Sequence, residues 1–121
     1  MADRTLALDL TGSMASYVWT LNGKKYGEDT PLGVKAGERV EIVMRNLTGM
    51  SHAMHLHGHL FQVVAIDGER FGGAARDTVL VPPKRSVTIA FDADNPGRWA
   101  FHCHNLYHME AGMMTTLHYE A

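Results

Sequence analysis

One stretch near the end of the chain, Phe101-His102-Cys103-His104-Asn105-Leu106-Tyr107-His108-Met109-Glu110-Ala111-Gly112-Met113-Met114, holds the only cysteine, three of the eight histidines and Met113, five residues beyond the last of them. A second, Ser51-His52-Ala53-Met54-His55-Leu56-His57-Gly58-His59, holds four more, so seven of the eight histidines fall in two short segments. Thiolate, imidazole and thioether are soft and borderline metal donors. Together they point to copper, with each segment supplying half of the ligands.

In an extended chain successive side chains point to opposite faces, so His102 and His104 face one way and Cys103 the other. One tripeptide thus addresses two metal sites. By the same parity His55 and His57 share a face while His52 can turn to the opposite one, which leaves His52, His108 and Met113 for the Cys103 side. A Cys thiolate with two imidazoles and a weak methionine is the ligand set of a blue-copper electron-transfer centre. Zinc is the competing metal, but structural zinc sites tend to use closely spaced cysteine or histidine pairs rather than Cys-x4-His-x4-Met. The second group, His55, His57, His102 and His104, is all imidazole and suits copper of a different kind, nickel or zinc. Backbone running one residue either way from Cys103 joins the two groups, an arrangement that makes sense if the second site consumes electrons.

A lone buried cysteine is usually just a small hydrophobe, and a lone loop histidine usually faces solvent. Seven clustered histidines are not lone. His59 lies beyond the ligand pattern and reads as a supporting or surface residue, and His118, in a closing strand, as structural. Met50, Met54, Met109 and Met114 are assigned to packing, and Glu110 to a solvated charge or a hydrogen-bond acceptor. No residue is given a catalytic role.

These ligands need a rigid frame. Residues 4–10 alternate apolar and polar, the signature of a half-buried strand, until Gly12 and Ser13 break the pattern. Residues 17–21 form a second strand, Asn22-Gly23 a type I′ turn, and 24–26 a short return. Residues 33–38 read as a loop. Residues 39–46 alternate strictly, with Val40, Ile42 and Met44 inward. The histidine segment 51–59 is too irregular in polarity for a core strand. Strand character resumes at 60–66, Asp67-Gly68 marks a tight turn, and 72–75 is loop. Residues 78–81, 86–91, 98–103 and 113–119 supply the remaining strands, with a turn at 94–97. A turn or two of helix is expected only at 105–111. Eight or so short strands predict a single all-β sandwich over residues 1–121, antiparallel with Greek-key crossings.

Composition agrees with one packed domain: 121 residues, 45% of them hydrophobic, suffice for a real core. A net charge of −2 with scattered lysines and arginines offers no footprint for nucleic acid. No apolar run approaches the roughly 20 residues of a spanning helix, and residues 1–4 lack a signal-peptide core. The abrupt start and end would suit a mature or excised domain.

The two histidine segments closely resemble the copper motifs in the type 1 copper-bearing cupredoxin domain of multicopper oxidases, the laccase-like enzymes, and the likeness spans roughly the whole chain. The resemblance implies a cupredoxin fold, a Greek-key β-sandwich or barrel. It makes His52, Cys103, His108 and Met113 type 1 copper ligands, His55 a type 2 ligand, and His57, His102 and His104 type 3 ligands of a trinuclear cluster. Ala53 stands where proline is usual, and Met113 where many fungal laccases carry a non-coordinating residue, so the axial thioether should lower the potential. In the family the cluster lies between two domains and the other domain supplies two further His-x-His pairs, which this chain lacks. The expectation is therefore one-electron transfer at one type 1 copper, served by an electron donor or small reducing substrate, beside half of a cluster site. The alternative is an oligomer, such as a trimer like two-domain laccases and copper nitrite reductases, binding further copper at subunit interfaces and reducing oxygen or nitrite. Copper storage or delivery suits a preorganised thiolate site less well. The family is mostly exported, which implies an extracytoplasmic location.

Overall fold

A computed structural model describes residues 2–13, 18–21, 32–70, 72–73, 75–103 and 113–119. Its strands are β1 Arg4–Ser13, β2 Val18–Leu21, β3 Leu32–Val34, β4 Arg39–Asn46, β5 His52–Leu56, β6 Phe61–Ile66, β7 Glu69–Arg70, β8 Ala75–Arg76, β9 Thr78–Val81, β10 Ser86–Asp92, β11 Arg98–Cys103 and β12 Met114–Tyr119. They make two sheets, one in the order β2-β1-β4-β10-β6-β7 with β8 also on β6, the other β3-β12-β11-β5-β9. Among the described residues there is no helix.

Alternation decides which side chains meet between the sheets. On β4, Val40, Ile42 and Met44 are fully buried, as their spacing predicts. They pack with Leu8, Leu10, Ile89 and Phe91 of their own sheet against Met54, Leu56, Phe101 and Leu117 of the other. Each such large side chain contributes about 1.5–3 kcal/mol of transfer free energy. The Asp67-Gly68 turn holds positive φ at both residues, 50° and 86°, as a type I′ hairpin requires.

Five expectations change. Residues 51–59 are not simply loop: His52–Leu56 is a core strand with a buried, intermediate, buried pattern. His52 hides the alternation because it is polar by type yet points inward. Leu32–Val34 is a strand rather than the start of a loop, β1 runs through Gly12 to Ser13, and short β7 and β8 pair with β6. The sheets are mixed, since β1 pairs with β4, and β12 with β3, in parallel. The 22–23 turn, the return at 24–26 and the helix at 105–111 lie outside the described residues.

Candidate metal centre

The site is built on β11 and its neighbour β5. Their antiparallel register sets Phe101 opposite Leu56, His102 opposite His55 and Cys103 opposite Met54. Cross-strand partners share a face, so Cys103 and Met54 turn into the core with His52, two residues along β5. His52, Cys103 and Met113 are each 0% exposed. The Cys103 sulfur lies 3.7 Å from His52 Nδ1, and the Cys103 amide donates to the Met113 carbonyl at 3.1 Å. Three of the four expected thiolate-side ligands therefore gather at the buried end of β11. The fourth, His108, lies outside the described residues, as does His104.

The opposite face carries the imidazole group. His55 and His57 have ring centroids 4.6 Å apart, with His102 at 5.6 Å from the first and 5.1 Å from the second. His102 Nδ1 faces the Cys103 carbonyl at 3.0 Å and His55 Nδ1 the Asp77 carbonyl at 3.0 Å. A carbonyl only accepts, so both rings donate through Nδ1 and carry their lone pair on Nε2, the nitrogen a metal would take. The Nε2 atoms of His57 and His102 are 2.9 Å apart. That is a hydrogen-bonding separation, and it brings two imidazole nitrogens together where either could serve a borderline metal such as copper. Partial desolvation of the ring, reinforced by the neighbouring His55 and His102, holds the His57 imidazole below its ordinary pKa. Among the described residues no three His, Cys, Asp or Glu side chains close a complete metal cage.

A family model described as multicopper oxidase matches residues 2–121. The chain belongs to the multicopper oxidase family. It is 48% identical over 114 residues to the multicopper oxidase MmcO of Mycobacterium tuberculosis, covering 94% of this chain and 22% of that protein. To copper resistance protein A of Escherichia coli it is 40% identical over 117 residues, 97% of this chain and 19% of the relative. The crystal structure of a blue copper oxidase from Nitrosomonas europaea superposes with a TM-score of 0.87 at 28% identity, over 95% of this chain and 43% of that one. The chain thus spans about a fifth of the length of the curated relatives it matches. These relationships make the fold a cupredoxin-like multicopper oxidase domain and imply that it binds copper. The donors found on the two faces fit that metal.

Within this multicopper oxidase domain, sequence reasoning undervalued the residues that hold the ligand loop. His59 is buried, its Nδ1 donating to the His57 carbonyl at 3.2 Å and its Nε2 meeting the Tyr119 hydroxyl at 2.7 Å. That hydroxyl also accepts the Asn95 amide at 3.0 Å, Asn95 Nδ2 donates to the Gly58 carbonyl at 3.0 Å, and Trp99 Nε1 donates to the Asn95 carbonyl at 2.8 Å. The turn at 94–97 and the closing strand β12 thereby fix the His57-Gly58-His59 loop through its carbonyls. His118 is structural as expected, accepting from Arg98 at 3.1 Å. Met54 is core and Met50 packs against it. Met109 and Glu110 lie outside the described residues. Asn46 and Thr48, likewise unmarked in the sequence, back His52: Thr48 Oγ1 sits 2.8 Å from its Nε2 and 2.7 Å from Asn46 Oδ1.

Proposed function

We propose that this chain is the type 1 copper-bearing cupredoxin domain of a multicopper oxidase, with His52, Cys103, His108 and Met113 holding one copper for one-electron transfer. The observation that carries this reading is the fully buried Cys103 sulfur 3.7 Å from His52 Nδ1. Bound there, copper supplies one-electron redox chemistry, with thiolate and thioether favouring Cu(I) and imidazole suiting both oxidation states. Phe101, Met54 and Leu56 keep water from the thiolate side, since all three are fully buried around it. Cys103 and His102 are joined by a single peptide, and the His102 ring is held by an Nδ1 hydrogen bond to the Cys103 carbonyl just beyond it. That peptide is the shortest covalent link between the thiolate face and the imidazole face. An electron donor or small reducing substrate would serve the buried site. The test is copper loading of the purified chain: an intense blue absorption is expected, and it should vanish in Cys103→Ser. A copper-loaded wild type without that band refutes the proposal.

The 2.9 Å approach of His57 and His102 favours a second reading, in which the imidazole face binds further copper against another chain or domain. An imidazole-coordinated copper with an open position, set beside the first site in a homo-oligomer such as a trimer, is suited to reducing oxygen or nitrite. Metal counting separates the two. Copper beyond one per chain that disappears in His55→Ala with His57→Ala supports the second reading, and one copper per chain unaffected by those changes refutes it.

A further inference from the structure

Asn46, at the end of β4, donates from Nδ2 to two carbonyls, Met50 O at 2.7 Å and Val81 O at 2.9 Å. Two acceptors on that side fix the orientation of the amide, so Oδ1 must be the atom facing Thr48. There it accepts the Thr48 amide at 3.0 Å and meets the Thr48 hydroxyl at 2.7 Å. A hydroxyl has one proton. The oxygens around this one, Asn46 Oδ1 and the Met50 carbonyl at 3.1 Å, are acceptors without a proton of their own, so the hydroxyl proton goes to one of them. Oγ1 is then left with its two lone pairs, one taken by the Met50 amide at 3.3 Å and the other by His52 Nε2 at 2.8 Å. The hydroxyl has no second proton to donate to Nε2, so across this contact Nε2 is the donor.

We infer that Asn46 and Thr48 are positioning residues that lock His52 as the Nε2–H tautomer and present its Nδ1 lone pair to the space beside the Cys103 sulfur. The inference rests on the reading of His52 as a copper ligand and deepens it. A histidine free to exchange tautomers would offer Nδ1 as a donor part of the time, and a protonated nitrogen is no metal ligand. Here the choice is made before any metal arrives, by a bonding chain that ends in an amide held between two strands. Because Val81 pairs with His52 across β5 and β9, the same amide also fixes where the ring sits. The Cys103 sulfur 3.7 Å away is a weak S–H donor and fits an Nδ1 that accepts.

The experiment reads the tautomer directly, by long-range 15N–1H NMR of the imidazole nitrogens in the metal-free chain, alongside copper titration against a competing chelator. Wild type should show His52 protonated on Nε2 only, and Thr48→Ser should match it. Thr48→Val, which keeps the shape and removes the acceptor, should lose the single tautomer and bind copper roughly 10- to 100-fold more weakly. Wild type with Nδ1 protonated overturns the inference whether or not any variant folds. Thr48→Val that keeps the tautomer, with affinity within about twofold, overturns it as well. A blue band missing from copper-loaded wild type while His52 remains Nε2–H refutes the copper assignment and leaves the tautomer lock standing.

Discussion

Gly58 sits between His57 and His59 with φ at +78°, and a Cβ placed there would lie 2.4 Å from Trp99 Cδ2 and 2.7 Å from Cε2 and Cε3. Gly58→Ala therefore carries two costs. The left-handed backbone costs an L-residue about 1–2 kcal/mol, and forcing a methyl into an occupied site about 1–3 kcal/mol more, for a total of about 2–5 kcal/mol. The ring cannot swing aside cheaply, because Trp99 Nε1 is bonded to the Asn95 carbonyl at 2.8 Å and Asn95 is bonded back to Gly58. Gly68 supplies the control, with φ at +86° but nothing within 4 Å of where a Cβ would stand. Gly68→Ala should cost only the backbone share. Urea denaturation of the metal-free chain and both variants measures this, with unchanged slopes and a midpoint clearly lower for Gly58→Ala than for Gly68→Ala. Equal losses in the two variants would refute the claim that Trp99 packs against the ligand loop.

Tyr119→Phe removes one hydroxyl from between His59 Nε2 and the Asn95 amide, leaving two partly buried polar groups without it; a loss of about 1–3 kcal/mol is expected in the same denaturation assay, and an unchanged midpoint would show that the loop is held by packing alone. The Asp67 carboxyl is held below the ordinary carboxylate range by the Ser86 amide and, after it, by the Arg85 guanidinium. Its folded pKa is thus lower than its unfolded one, so the contribution is complete above the unfolded value and is lost as pH falls through the folded value. Asp67→Asn, which tolerates the positive φ of this turn, should flatten that part of the acid-denaturation profile, and an identical profile in both proteins would count against it.

Strict alternation made β4 legible over the residues its pattern predicts, and β11 also spans the expected 98–103, though it does not alternate. β5 was not, because polarity reads as exposure, and His52 is a polar residue with its own buried acceptor in Thr48. The parallel pairing of β1 with β4 and of β3 with β12 leaves no mark on local sequence, since it joins segments far apart in the chain. Site parity was readable because it needs only the period of a strand: Cys103 is buried while His102 is half-buried, and His52 is buried while His57 is exposed. The supports were hidden for the opposite reason. Tyr119 reaches His59 across sixty residues, and nothing about a closing-strand tyrosine or a turn asparagine indicates which loop it will hold.

Both donor groups depend on one register. Met54 opposite Cys103 makes His52 a diagonal neighbour of the sulfur, and His55 opposite His102 joins the outer pair. A slip of one residue between β5 and β11 would turn every side chain of β5 to the other face. It would bring His55 into the core and send His52 and Met54 into solvent, dismantling both groups at once. Apolar burial guards against this, because Met54 and Leu56 would have to leave the core with His52. The Asn46 amide adds a polar constraint by bonding to Val81, the β9 residue that pairs with His52. The spacing of the histidines on β5 is thus tied to the hydrophobic pattern of the same five residues, so that folding the strand correctly and sorting its ligands between two faces are one event.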